Sequence, residues 1–200
     1  MRKPLPGYAR FAWVTLGLTL FVILWGAFVR ASGSGAGCGS HWPLCNGEMV
    51  PHSPAWATVV EFGHRVSSGV SLLLVIGLWW GARRRFAAGN PVRRAAGWSL
   101  FFMVTEALIG AGLVLFEYVA DDARVARGFW VSGHLVNTFL LVGSMAACAA
   151  WASGWKPGGL RGQGGVAGLL LTALAGVLLL AMGGAVTALG DTLFPAATLA

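Results

Sequence analysis

ATVVEFGHRVSSGVSLLLVIGLWWGA, residues 57–82, runs straight into Arg83, Arg84 and Arg85, and its reading decides the fold. The stretch contains no proline. Wound as a helix at 1.5 Å per residue, it is long enough to cross a hydrocarbon core roughly 30 Å thick. It closes in three arginines, the charge that is retained on the cytoplasmic side of a membrane. Comparable apolar runs occupy residues 11–31, 95–119, 129–152 and 166–188. The chain therefore reads as an all-α integral membrane protein of about five transmembrane helices, four in a bundle and a fifth beyond it.

Composition agrees. Hydrophobic residues make up 56% of the chain and charged ones 10%, against roughly 25% charged in a soluble domain. The net charge of +7 does not point to nucleic acid, because the basic residues sit in the short segments between apolar runs and form no aromatic-interleaved surface. They report topology instead. Arg2, Lys3 and Arg10, then Arg83 to Arg85 with Arg93 and Arg94, then Lys156 and Arg161, fall in alternate connections and should be cytoplasmic. The loop 32–56 has no Lys or Arg and should be outside; Arg124 and Arg127, beside Asp121 and Asp122, only blur the pattern. The expected divisions are a cytoplasmic N-terminus at 1–10, a four-helix half at 11–152 with an outer loop at 32–56, a cytoplasmic linker at 153–165, and a fifth helix with an outer tail at 166–200. The first span is too long for the h-region of a signal peptide, and more spans follow it. Trp42, Trp56, Trp79, Trp80, Trp130, Trp151 and Trp155 lie near span ends, as interfacial anchors do.

Ionisable groups inside a membrane are costly, so Glu61, His64, Arg65, Glu106 and His134 are functional candidates. Glu61 and His64 are three residues apart on one helix and share a face. His64 lies about 10 Å from the outer end of its span and His134 about 8 Å from the outer end of its own. Two imidazoles at similar depth on different helices can ligate one iron from opposite faces of a porphyrin; each can also simply hydrogen-bond a neighbouring helix. Asn137, one turn after His134, could orient a ligand or meet a propionate, or act as interhelical glue. Arg65 could take a propionate in a bidentate fork, or pair with Glu61 or Glu106. Glu106 offers either a proton path or a structural hydrogen bond.

Cys38 and Cys45 share the outer loop, an oxidising compartment, and are expected to form a disulfide that holds His41, Trp42 and Pro43 over the outer mouth of the bundle. Zinc held by Cys38, His41 and Cys45 competes, but it lacks a fourth ligand unless His52 folds back. Cys148, inside a span, reads as a small packing residue. A short internal repeat aligns residues 26–34 with 183–191 without gaps, with four identities, as if a four-helix unit began again.

Taken together, Gly26-Ala-Phe-Val-Arg-Ala-Ser-Gly-Ser-Gly-Ala-Gly-Cys38, Trp42-Pro-Leu-Cys45-Asn-Gly, Glu61-Phe-Gly-His64-Arg65 and His134-Leu-Val-Asn137-Thr resemble the haem A synthase family over essentially the whole chain. The resemblance implies an eight-helix protein of two similar four-helix halves, each with a histidine pair able to hold haem. It implies conversion of haem O to haem A for haem-copper respiratory oxidases, by stepwise oxidation of a ring methyl to a formyl group with electrons supplied from outside. Haem O would be the substrate, and haem b a cofactor seated in the other half. Carried over, His64 and His134 are the front-half haem ligands, Glu61 is the carboxylate important for the oxidation, and Cys38 and Cys45 are the outer disulfide. The sequence stops after the fifth span, before a second histidine pair, so the expectation is a fragment or truncated product. The implied setting is a bacterial plasma membrane, with an electron donor, haem O synthase or an oxidase assembly partner, or a second copy, as candidate partners.

A non-catalytic haem-binding or electron-transfer protein of the cytochrome b type is the alternative; it has no need of Glu61 beside His64 or of the cysteine loop. A transporter would call for a broken helix lining a midplane site, and no span contains proline.

Overall fold

The computed structural model describes residues 6–52, 54–119, 122, 124–156, 158–159 and 162–193. Arg2, Lys3, Asp121, Arg161 and the tail from residue 194 lie outside the described residues. Five helices follow in order, α1 (Pro6–Ala31), α2 (Trp56–Arg85), α3 (Pro91–Leu115), α4 (Val125–Ala152) and α5 (Gly164–Leu193), with a short 3-10 helix (Ser34–Ala36) in the first loop. Each α-helix is long and apolar enough to cross a membrane. The chain is a multi-pass, all-α membrane protein.

The helices outrun their apolar cores where local chemistry extends them. α1 opens on Pro6, at a position where no backbone N–H is needed. α3 starts four residues earlier than expected, because the Asn90 side chain accepts the Val92 N–H at 2.9 Å and Pro91 takes the first turn. α2 continues through its three arginines, whose stems lie along the helix while the charged heads reach out; Arg83 and Arg84 sit over the Trp79 and Trp80 rings at 4.9 and 4.8 Å. α3 stops at Leu115 rather than at 119. Glu117 adopts φ 58° and the Tyr118 N–H turns back to the Leu113 carbonyl at 2.8 Å. α5 runs on through Gly190, where the start of a loop was expected.

α1 packs on α2, α2 on α3, α3 on α4, and α4 back on α1, closing a four-helix ring in which α2 and α4 stand diagonally; α5 leans on α4. At the arginine end, Tyr8, Ala12, Leu78, Ala82, Ala96 and Cys148 belong to one buried cluster. Leu16, Val75, Met103, Leu141 and Met145 form a second toward the middle. Among the described residues, neither cluster continues into the cysteine-loop half. The two clusters fill the arginine end and the middle of the ring, and Glu61, His64, Glu106 and His134 stand toward the other end.

The loop of residues 32–55 closes that second end. Cys38 and Cys45 are joined in a disulfide, so their sulfurs are not free to hold zinc. Gly37 lies so close to α2 that a Cβ would stand 2.3 Å from the Ala57 carbonyl carbon, and the Thr58 hydroxyl donates to the Gly37 carbonyl at 2.7 Å. At the loop's exposed rim, the His52 backbone N–H, and secondarily its ring, holds the Glu48 carboxyl below the usual carboxylate range.

The charge asymmetry predicts that the arginine end is cytoplasmic. Alkaline phosphatase inserted at Gly89 should be inactive and the same insertion at Gly47 active; the reverse pattern would invert the topology.

Candidate functional site

His64 and His134 stand on the diagonal helices of the ring. They lie about 12 Å and 13.5 Å from the ends of α2 and α4 nearest the cysteine loop, eight and nine residues along at 1.5 Å each. The two depths match. Both Nδ1 atoms are buried without a hydrogen-bond partner. In a hydrocarbon setting that is a standing cost, and each such group calls for an explanation.

A glycine on the neighbouring helix makes room for each ring. A Cβ added at Gly26 of α1 would stand 2.9 Å from His64 Cε1 and 3.2 Å from its Nε2, and one at Gly110 of α3 would stand 3.9 Å from His134 Cε1. The first distance is a clash and the second ordinary contact. His64 therefore lies in a seat that only glycine leaves open. Trp25 completes that wall: its indole N–H donates to the Val60 carbonyl at 3.0 Å, beside Gly63.

Glu61 shares a face with His64, as its spacing requires, but its carboxylate is taken up by the loop. Oε2 accepts the Cys38 backbone N–H at 2.8 Å. Oε1 accepts Arg65 Nε at 3.1 Å and Nη2 at 2.5 Å. Arg65 Nη1 in turn donates to the His41 and Leu44 carbonyls at 2.5 and 2.6 Å. Glu61 is 4% exposed. The pair is a clasp that ties the disulfide loop to α2 one turn from His64, and it uses four of the five guanidinium N–H groups. The salt bridge considered for Arg65 is the one formed, and one N–H is left over.

Asn137 is likewise engaged. Its amide donates to Glu106 Oε2 at 2.6 Å and to the Phe102 carbonyl at 2.8 Å, and its oxygen accepts from Thr105 at 2.7 Å. Thr138 hydrogen-bonds the other Glu106 oxygen. The structure thus sets His64 and His134 at one depth on diagonal helices, and binds Glu61 to Arg65 and Glu106 to Asn137. Gly26 and Gly110 were not given a role from the sequence; a glycine among many in an apolar run carries no local mark, and Gly26 entered only as the first residue of the repeat and of the family motif.

The family model of COX15-CtaA, a cytochrome oxidase assembly protein, matches residues 9–200. A protein from Thermus thermophilus named protoheme IX farnesyltransferase is 51% identical over 187 residues, covering 94% of this chain and 31% of that protein. Proteins named heme A synthase match from an Exiguobacterium species (38% over 135 residues, 66% of this chain and 42% of that protein) and from Shouchella clausii (39% over 140 residues, 70% and 46%). The chain thus spans less than half the length of each of these relatives. No solved structure matches it.

Replacing Arg65 by Ala should strand a buried carboxylate and cost about 3–5 kcal/mol, read as a lower thermal midpoint in detergent and faster proteolysis of the cysteine loop. Pairing Arg65→Met with Glu61→Leu should recover part of that loss. An unchanged midpoint in the single variant would show that the clasp carries no load.

Proposed function

The chain belongs to the COX15-CtaA family of cytochrome oxidase assembly proteins, the haem A synthase family, and on that premise we propose that it holds haem between His64 and His134 and takes part in oxidising a ring methyl of haem O to the formyl group of haem A. The observation that carries the reading is the pair of partly buried imidazoles at one depth on diagonal helices, each with its Nδ1 atom buried and without a hydrogen-bond partner. The surroundings fit a flat apolar group with an iron at its centre: the packed clusters stop short of this level, and Gly26 removes a side chain where His64 needs space. Bound haem would supply the redox-active iron.

The protein's own residues bind, cover and orient. His64 and His134 are the two nitrogen ligands. Glu61 and Arg65 hold the disulfide loop to α2, and the remaining Arg65 N–H would be the donor open to a propionate. Asn137 acts through α3 and Glu106. We place the loop outside the plasma membrane of a bacterium, the N-terminus inside, and the electron donor outside this chain; haem b would be bound by a second histidine pair elsewhere in the whole enzyme.

The farnesyltransferase name belongs to a relative of which this chain covers 31%. That name is carried by the whole of that protein and assigns no activity to the part matched here.

Visible spectra of the detergent-purified chain titrated with haem, oxidised and reduced, test the ligand pair. Wild type should give a low-spin spectrum, lost in both His64→Ala and His134→Ala; failure to take up haem, or a spectrum indifferent to both changes, would refute the site. Conversion itself is read by extracting the pigment after incubation with haem O and a reductant under air, a formyl-bearing haem being the expected product.

The glycine seats predict an inequality between two like substitutions. Gly26→Ala should shift the low-spin bands or weaken haem retention, because its methyl meets the His64 ring, whereas Gly110→Ala should be close to silent. Equal effects would remove Gly26 from the site.

A further inference from the structure

Glu106 is a carboxylate in the middle of a membrane helix, and it faces the other candidate ligand rather than the loop. Its Oε1 lies 3.4 Å from His134 Nδ1. At that separation no hydrogen bond is formed, and Nδ1 has no other hydrogen-bond partner among the described residues. The carboxylate itself is fixed from α4: Asn137 Nδ2 donates to Oε2 at 2.6 Å, and the Thr138 hydroxyl is placed to donate to Oε1. Asn137 is in turn locked by Thr105 and by the Phe102 carbonyl. Two hydrogen bonds from α4 to a carboxylate on α3 are more than helix association requires, and they leave the Oε1 edge beside His134.

Among the described residues no carboxylate stands within ion-pair distance of His64. The carboxylate nearest to it in sequence, Glu61, is bound to Arg65 and to the Cys38 N–H. The two imidazoles therefore match in depth and differ in what stands behind them. A carboxylate behind a metal-bound imidazole takes its Nδ1–H, fixes the tautomer that presents Nε2 to the metal and makes the ring a stronger donor.

We infer that Glu106 is the positioning residue for His134, accepting its Nδ1–H and making it the firmer of two unequal haem ligands. The inference rests on the proposed histidine pair. A small rotation of the imidazole brings the N–H onto Oε1; such hydrogen bonds are often long before the ligand is bound and tighten when it arrives. Asn137 and Thr138 are then the residues that keep the carboxylate in place.

The test uses the full chain in detergent with iron protoporphyrin IX as probe, and reads haem affinity and the midpoint potential of the bound haem. Glu106→Gln keeps the shape and removes the charge; it should raise the midpoint potential, because the weaker donor favours the reduced iron, and cost about 10–100-fold in affinity. Glu106→Asp, which withdraws the carboxylate by one methylene, should move the potential less in the same direction, and it serves alone if the Gln variant does not fold. Ser99→Ala removes a hydrogen bond between the same two helices, to Ser144 at 3.2 Å, outside the Glu106 cluster, and should leave the potential in place. Unchanged potential and affinity in both Glu106 variants, with wild type still low-spin, overturn the inference and leave the histidine pair standing. Equal shifts in Ser99→Ala and the Glu106 variants overturn it in favour of a packing effect. A wild-type chain that takes up no haem, or whose spectrum survives His134→Ala, removes the histidine pair and this inference with it.

Discussion

Hydrocarbon offers no hydrogen bonds, and this one constraint organises the bundle. Most buried polar side chains in the helices meet the demand internally. Thr15 and Ser99 bond the carbonyls four residues before them, Thr19 also reaches Ser71 across to α2, and Tyr8 caps the Leu78 carbonyl. Even Glu61 and Glu106 are held by several donors each. Against that background, two imidazoles whose Nδ1 atoms are buried and unpartnered are exceptions of a kind that a bilayer does not tolerate without cause. For His134 the cause lies within the bundle, in the Glu106 carboxylate 3.4 Å away; for His64 none of the described residues supplies it, and its open ring is the pointer to a ligand.

The division of the ring into a packed half and a polar half follows from the same constraint. Small residues at the arginine end, Ala9, Ala12, Ala82, Ala96 and Ala149, let the helices approach closely and fill the interior with their own side chains. At the other end the residues that would fill the interior are Glu61, His64, Glu106 and His134, and none can bury itself without a partner. Each carboxylate has found one by reaching out of the centre, Glu61 to the loop and Glu106 to α4. The loop is thereby part of the site's construction: the disulfide, the Gly37 contact with α2 and the Arg65 donors to two of its carbonyls fix it against the end of the bundle.

Much of this was legible in the sequence, and the boundary of legibility is physical. Span number and type follow from apolar length alone, and the depth match of His64 with His134 needs only a rise per residue and a count. Helix ends were less readable, because they depend on single capping contacts such as Asn90 with Val92 and on a positive φ at Glu117. Gly26 could not be read at all, since its role exists only in the distance from another helix. The Cys38 and Cys45 pairing was readable from compartment and spacing; the fact that its backbone is what holds Glu61 was not.

The two glutamates show where helical spacing misleads. Three residues separate Glu61 from His64, and on a helical wheel they share a face, so a joint role on one ligand was the natural expectation. Side chains three and four residues apart lie along the helix axis, however, and each can lean toward its own end. Arg65 sits four residues after Glu61 and draws the carboxylate toward the loop, away from the imidazole that follows. Glu106 is 28 residues from His134 in sequence and stands 3.4 Å from it in space. In a ring of antiparallel helices, the partner of a functional group is set by depth and by the neighbouring helix rather than by nearness along the chain. The carboxylate that backs a ligand is therefore to be sought at the same level on the next helix.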